Sequence, residues 1–213
     1  PSGTVTAKRK GAGFLSVPYQ LDAFLEEIFA RSPLPISIKT RLGMHSPEEF
    51  PRLLDIFAKY PVAELTIHPR VRDDFYRHSV RLEEFCRALE RYPGRICYNG
   101  GLVTEADCAA LSARFPQVEA VMLGQGMLAN PALIRQIKGG APIGRGELKE
   151  YHDALYRAYC GRFQSEKNAA FHLKELWHYM LGLFDGHETL ARRLRKSRDG
   201  AQYQAVVEEI FRT

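Results

Sequence analysis

The sequence predicts an α/β protein of consecutive βα units followed by a small all-α helical bundle. Three observations carry that expectation. Short apolar runs alternate with amphipathic helical stretches from about residue 19 to 137, the pattern of parallel strands joined by crossover helices. Polar residues gather where each apolar run ends. Beyond the Gly/Pro-rich stretch "KGGAPIGRGE" at 138–147 the pattern becomes purely helical, so the boundary between the two parts is expected at residue 138.

Composition agrees. The 213 residues are 45% hydrophobic and 26% charged, with a net charge of +5, as in an ordinary globular chain able to bury a core. No apolar run nears the roughly 20 residues of a membrane-crossing helix, so no membrane partner is expected. Cys86, Cys97, Cys108 and Cys160 show no metal-ligand spacing. They read as buried free thiols in a reducing cytoplasm, with no metal site. The basic excess favours a polyanionic partner without naming one.

The first strand is "ISIKTRL" (36–42), alternating apolar and polar residues; "ELTIHPR" (64–70), "RICYNGG" (95–101) and "EAVMLGQG" (119–126) follow. Between them, helical spacing relates Phe50, Leu53, Leu54 and Phe57, then Leu82, Phe85 and Leu89, then Cys108 and Leu111. Ser46-Pro47-Glu48-Glu49 supplies an N-cap serine and an N1 proline. In the tail, helices are expected over 146–163, 166–184, 187–196 and 200–212, punctuated by Gly182, Gly186 and Gly200. Phe171, Leu173, Leu176, Trp177, Met180 and Leu183 form an apolar stripe that reads as core.

Parallel βα units present their strand C-termini on one side, where loops build sites. Lys39 and Arg41, His68 and Arg70, Asn99 to Gly101, and Gly124 to Gly126 all fall at such ends. Lys39 brings an ammonium suited to an anion or to a flavin's polar edge. His68 precedes Pro69, which stiffens the turn. Asn99-Gly100-Gly101 is either a tight turn or a place where backbone N–H groups approach a ligand. Gly124-Gln125-Gly126 offers the same choice. Asn130 as N-cap and Pro131 at N1 start a helix over 130–137, whose N-terminus suits phosphate. Jointly these loops read as the phosphate grip of a nucleotide-type cofactor. Residues 138–213 hold 13 Lys and Arg against 10 Asp and Glu, and Arg192, Arg193, Arg195, Lys196 and Arg198 crowd into "ARRLRKSRD". That cluster is either a solvated helix face or a phosphate-backbone contact.

"GTVTAKRKGAGFL", "PISIKTRLG", "ELTIHPR", "ICYNGGL" and "VMLGQGMLANPALI", in that order, resemble the tRNA-dihydrouridine synthases, and "HLKELWHYMLGLF" resembles their helical domain. The resemblance covers nearly the whole chain. It implies the C-terminal half of a TIM (β/α)8 barrel: residues 1–137 as the last four βα units of an FMN-binding domain, and 138–213 as a helical tRNA-binding domain. The family reduces the C5–C6 bond of uridines in tRNA; NADPH reduces the FMN, and a cysteine donates the proton. By resemblance Lys39 and His68 would contact the isoalloxazine, while Asn99, Gly100, Gly101, Gly124 and Gln125 would hold the ribityl phosphate. Arg70 could approach RNA or flavin, and Arg192, Arg193, Arg195 and Lys196 would meet tRNA. Gln125 stands where the family usually has Arg, and Gly101 where many members carry an acid. The catalytic cysteine is expected immediately before Pro1, so none of the four cysteines matches it, and the chain is expected to be inactive alone. Two other readings are an FMN barrel oxidoreductase of ene-reductase or dihydroorotate-dehydrogenase type, and a non-catalytic RNA-binding remnant. The modified uridine position, the oligomeric state and the choice between NADPH and NADH stay open.

Overall fold

Four parallel strands lie side by side in chain order: β1 (Ser37–Arg41), β2 (Glu64–His68), β3 (Ile96–Asn99) and β4 (Ala120–Met122). Each lies within one of the runs read as strand, and each is followed by a helix, β3 by α5 (Glu105–Arg114). The computed structural model describes residues 2–184 and 188–212. Two compact units divide the chain: Pro1–Gly101 with Leu111–Leu123, and Leu102–Ala110 with Gly124–Thr213.

In the first unit the sheet pairs Lys39 with Thr66, Arg41 with His68, Thr66 with Cys97 and Asn99 with Met122. Side chains alternate across a strand, so Leu65, Ile67, Ile96 and Tyr98 share one face and Lys39, Arg41, Thr66, His68, Cys97 and Asn99 the other. The apolar face is covered. Helix α4 (Leu82–Arg91) sends Phe85 edge-on to Tyr98 at 4.8 Å and to Phe115 at 5.3 Å. Burying a ring of that size contributes about 1.5–3 kcal/mol. Helix α3 (Phe50–Phe57) buries the four residues its spacing marked, Phe50, Leu53, Leu54 and Phe57. Its start is secured as expected. Glu48 N–H donates to Ser46 Oγ, and the Glu49 carboxylate accepts from the N–H groups of Met44, His45 and Ser46, a reciprocal cap.

Two helices precede the sheet, α1 (Gly3–Ala7) and α2 (Pro18–Arg31). Pro18 opens α2 at N1, and Leu21 and Leu25 are its buried residues. Asp22 of α2 pairs with Lys59, and the Tyr60 hydroxyl donates to the Asp22 carbonyl at 2.8 Å.

The second unit contains α6 (Gln125–Ala129), α7 (Leu133–Ile137), α8 (Arg145–Phe163), α9 (Glu166–Met180), α10 (Glu188–Lys196) and α11 (Gly200–Arg212). The four long tail helices match the expected spans closely. Leu148, Leu173, Trp177, Met180, Leu194, Tyr203, Val207 and Ile210 are buried together. Trp177 Nε1–H donates to the Tyr203 hydroxyl at 2.8 Å, and that hydroxyl lies 2.7 Å from His152 Nε2. His152 Nδ1 in turn faces Asp153 at 2.9 Å.

Several expectations need correction. Phe171 is 64% exposed and Leu183 is 41% exposed, so the core stripe of α9 is narrower than the periodicity implied. Only Cys97 and Cys108 are buried; Cys86 and Cys160 are half-buried. Gly182 lies inside a short 3₁₀ turn, Leu181–Leu183, and Gly186 lies outside the described residues. The helix expected from Asn130 starts at Leu133, because Asn130 closes α6 while its side-chain oxygen accepts from Ala132 N–H at 3.0 Å. Gln125 and Gly126 are helical, not a turn. A Cβ at Gly126 would sit 2.6 Å from the Leu102 carbonyl oxygen, so α6 rests directly on that backbone. The two compact units meet in the chain after Gly101, Ala110 and Leu123, and residue 138 lies within the second.

Candidate functional site

The polar face of the sheet gathers the candidate residues of the first unit. Lys39 is not at the strand end as expected: it sits two residues earlier, level with Thr66, while Arg41 ends β1 opposite His68. All three share one face, and Lys39 and Arg41 both act electrostatically on His68. Burial first, then the positive charges of Arg41, Lys39 and Arg70, push the His68 pKa down to about 3. Burial and the Arg41 charge also lower the Lys39 pKa.

The loop after β2 closes this rim. Arg41, itself buried, donates from Nη1 to the Val71 carbonyl at 3.1 Å and the Phe75 carbonyl at 3.4 Å. Arg70 donates from Nε to the His78 carbonyl at 2.6 Å and from Nη1 to His68 Nε2 at 3.0 Å. Arg70 is thus engaged within the chain. Tyr76 is 57% exposed. Its ring centroid lies 5.6 Å from the Arg41 guanidinium, 5.9 Å from that of Arg70 and 6.0 Å from the His68 ring. Sequence reasoning passed over Tyr76; the signal was the interleaving of cations and aromatics in "PRVRDDFYR". In the same loop the Asp74 carboxylate is buried, accepts from Val71 N–H at 2.8 Å and pairs with Arg81. Hydrogen bonding from Arg81 holds the Asp74 pKa below its usual range.

Asn99, Gly100 and Gly101 complete the rim, and the two glycines have a clear cause. Their φ angles are +138° and +69°, which only glycine adopts at low cost. A Cβ on Gly100 would stand 2.8 Å from His68 Cδ2 and 3.1 Å from Val80. The bare backbone at Gly100 therefore makes room for the imidazole. Asn99 Nδ2 donates to the Met122 carbonyl at 2.7 Å, lacing β3 to β4.

In the second unit, Gly124 is the N-cap of α6 and Gln125 its first residue. A Cβ on Gly124 would meet nothing within 4 Å, so its backbone is open. Arg192, Arg195 and Lys196 are exposed on α10, whereas Arg193 bonds to Glu209 of α11. Among the described residues no cluster of His, Cys, Asp or Glu could hold a metal ion, and no helix is long and apolar enough to cross a membrane.

One titration follows from the rim. The unfolded chain binds a proton on His68 near pH 6.5, and the folded one resists it down to about pH 3. Between those values the unfolded state holds more protons, so stability falls as pH drops through the window and is untouched by this group above it. Urea midpoints across that range are expected to decline less steeply in His68→Gln than in the parent. An identical slope would refute the assignment.

A parallel sheet of βα units with a cation-rich polar face at its carboxyl ends defines an α/β protein of the kind that binds ligands there. The chain belongs to the dihydrouridine synthase family, whose model matches residues 1–211. It is 29% identical over 155 residues to the tRNA-dihydrouridine(16) synthase of Aquipseudomonas alcaligenes, covering 70% of this chain and 47% of that one. The "probable tRNA-dihydrouridine synthase 1" of Synechocystis sp. is 28% identical over 199 residues, 90% of this chain and 52% of the relative. The tRNA-dihydrouridine(16) synthase of Shigella flexneri is 31% identical over 150 residues, 67% and 46% of the two chains. The chain spans about half the length of these relatives.

Proposed function

We propose that this chain carries the cofactor-contacting and RNA-facing part of a tRNA-dihydrouridine synthase, an oxidoreductase that uses FMN and NADPH on uridines of tRNA in the cytoplasm. The observation that carries this reading is the shared polar face of Lys39, Arg41 and His68 in a chain of that family. The donor chemistry fits FMN, whose ring edge and phosphate present acceptors. Among the described residues no carboxylate acts on Lys39, so its ammonium is available to an acceptor.

Lys39 and His68 would bear on the ring edge. In the second unit, taken by itself, Gly124 with open space around it and Gln125 are of the type that serves a phosphate; Gln125 gives a hydrogen bond without charge, a weaker grip than arginine. Asn99, Gly100 and Gly101 would act by shaping the rim, since the space beside Gly100 belongs to His68. The bound group would supply two-electron reduction of the pyrimidine C5–C6 bond. A uridine inside folded tRNA must leave its stack to reach such a rim. There Tyr76, flanked by two guanidiniums, offers an aromatic face to a base. Arg192, Arg195 and Lys196 would meet the phosphate backbone.

Titration of FMN into the purified chain, followed by flavin fluorescence, tests the reading. Saturable binding is expected, weakened about tenfold by Lys39→Ala, the scale of one charge-assisted hydrogen bond. A chain with folded circular dichroism that leaves the flavin signal unchanged would sink it.

A further inference from the structure

Phe75 is a conformational outlier with an exposed ring. Its φ of +50° and ψ of −106° lie outside the regions open to a bulky residue. Such strain persists only where the surroundings enforce it, and it clusters at binding sites. Here the surroundings are explicit. The carbonyl of Phe75 accepts from Arg41, the neighbouring Asp74 is held by Arg81 and Val71 N–H, and Arg77 N–H donates to the Asp74 carbonyl. The chain is tied down on both sides of Phe75 while its ring stays 40% exposed.

The ring stands among cations. The guanidiniums of Arg72 and Arg77 lie 5.8 Å and 6.0 Å from its centroid. Arg72 also donates from Nη2 to Thr6 Oγ1 at 3.1 Å, which docks α1 beside the loop. The chain leaves α1 through Lys8, Arg9 and Lys10, all exposed. Two guanidiniums thus border one ring, and three exposed cations follow the helix that Arg72 ties to the loop. The nearby acids are Asp73, bound to Arg72 and to His45, and Asp74, bound to Arg81.

We infer that Phe75, Arg72 and Arg77 form a stacking platform for an RNA base next to the one brought to the rim, with Lys8, Arg9 and Lys10 on the flanking phosphates. The inference rests on the tRNA reading above and adds the residues of contact. An aromatic ring bordered by guanidiniums suits any base, because every base has a π-face, and exposed cations track the backbone.

Fluorescence anisotropy with a tRNA transcript and a short single-stranded RNA, using the whole chain, separates the outcomes. Phe75→Ala is expected to weaken binding about 5- to 150-fold, the worth of one stacked base, with an unchanged salt dependence. Phe75→Tyr should bind like the parent, and Phe75→Leu, similar in bulk but not aromatic, should bind like Phe75→Ala. Joint replacement of Lys8, Arg9 and Lys10 by Glu should flatten the salt dependence. If the parent binds tRNA and Phe75→Ala matches it, the platform is refuted while the tRNA reading stands. If the parent binds neither RNA, or prefers an acidic peptide, both fall.

Discussion

Gly100→Ala is expected to lower stability by about 3 kcal/mol or more. Two independent costs combine. The φ of +138° is strained for any residue with a Cβ, a cost of order 1–3 kcal/mol. The new methyl would also arrive 2.8 Å from His68 Cδ2, and the imidazole is buried and bonded to Arg70, so it cannot yield freely. Overpacking of that kind typically costs another 1–3 kcal/mol. Gly101→Ala isolates the first cost, since its Cβ would meet only Val80, at 3.9 Å. Urea unfolding should rank the parent above Gly101→Ala and Gly101→Ala above Gly100→Ala. Equal losses at the two glycines would show that the approach of His68 does not matter.

Trp177→Ala should cost about 3–5 kcal/mol, the usual range for removing a buried large aromatic. The ring is buried among Phe184, Phe211 and His152, and its Nε1–H serves the Tyr203 hydroxyl. Trp177→Phe keeps most of the apolar surface and deletes the donor, so it should lose about 1–2 kcal/mol. Tyr203→Phe leaves the Trp177 N–H and His152 Nε2 without their shared partner, two buried groups at about 1–3 kcal/mol each. Thermal or denaturant unfolding of the three variants decides between packing and hydrogen bonding. A Trp177→Ala loss below that of Trp177→Phe would contradict the account.

What was legible in the sequence follows from which forces act locally. The four strands and the long tail helices could be read because hydrophobic periodicity records which face is buried. Helix α2 was missed, although Pro18 at N1 and the spacing of Leu21 and Leu25 marked it. Phe171 and Leu183 were misjudged because periodicity gives a stripe but not its width. At Asn130 the cap chemistry was recognised, yet a side chain that caps one turn can close the preceding helix instead, and only the packing of α6 on Leu102 decided between them. At the rim, His68 and Asn99 were found by position at strand ends, whereas Lys39, read as a strand-end residue, lies two residues short of the end on the same face. The work of Arg70 and Tyr76 was hidden because their partners are set by how a loop folds back. Gly100 was the hardest case: a glycine can look the same whether it admits a ligand or a neighbouring side chain.

The short contact between Arg70 and His68 has a chemical consequence. A guanidinium has hydrogens to give and no lone pair to offer, so Nε2 of His68 must be the lone-pair nitrogen at their 3.0 Å separation. The ring is uncharged at any pH well above about 3, which leaves its one hydrogen on Nδ1. Arg70 therefore writes the tautomer. A carbonyl or imide oxygen arriving on the Nδ1 side finds a donor waiting, and an amine arriving there finds no lone pair to receive it.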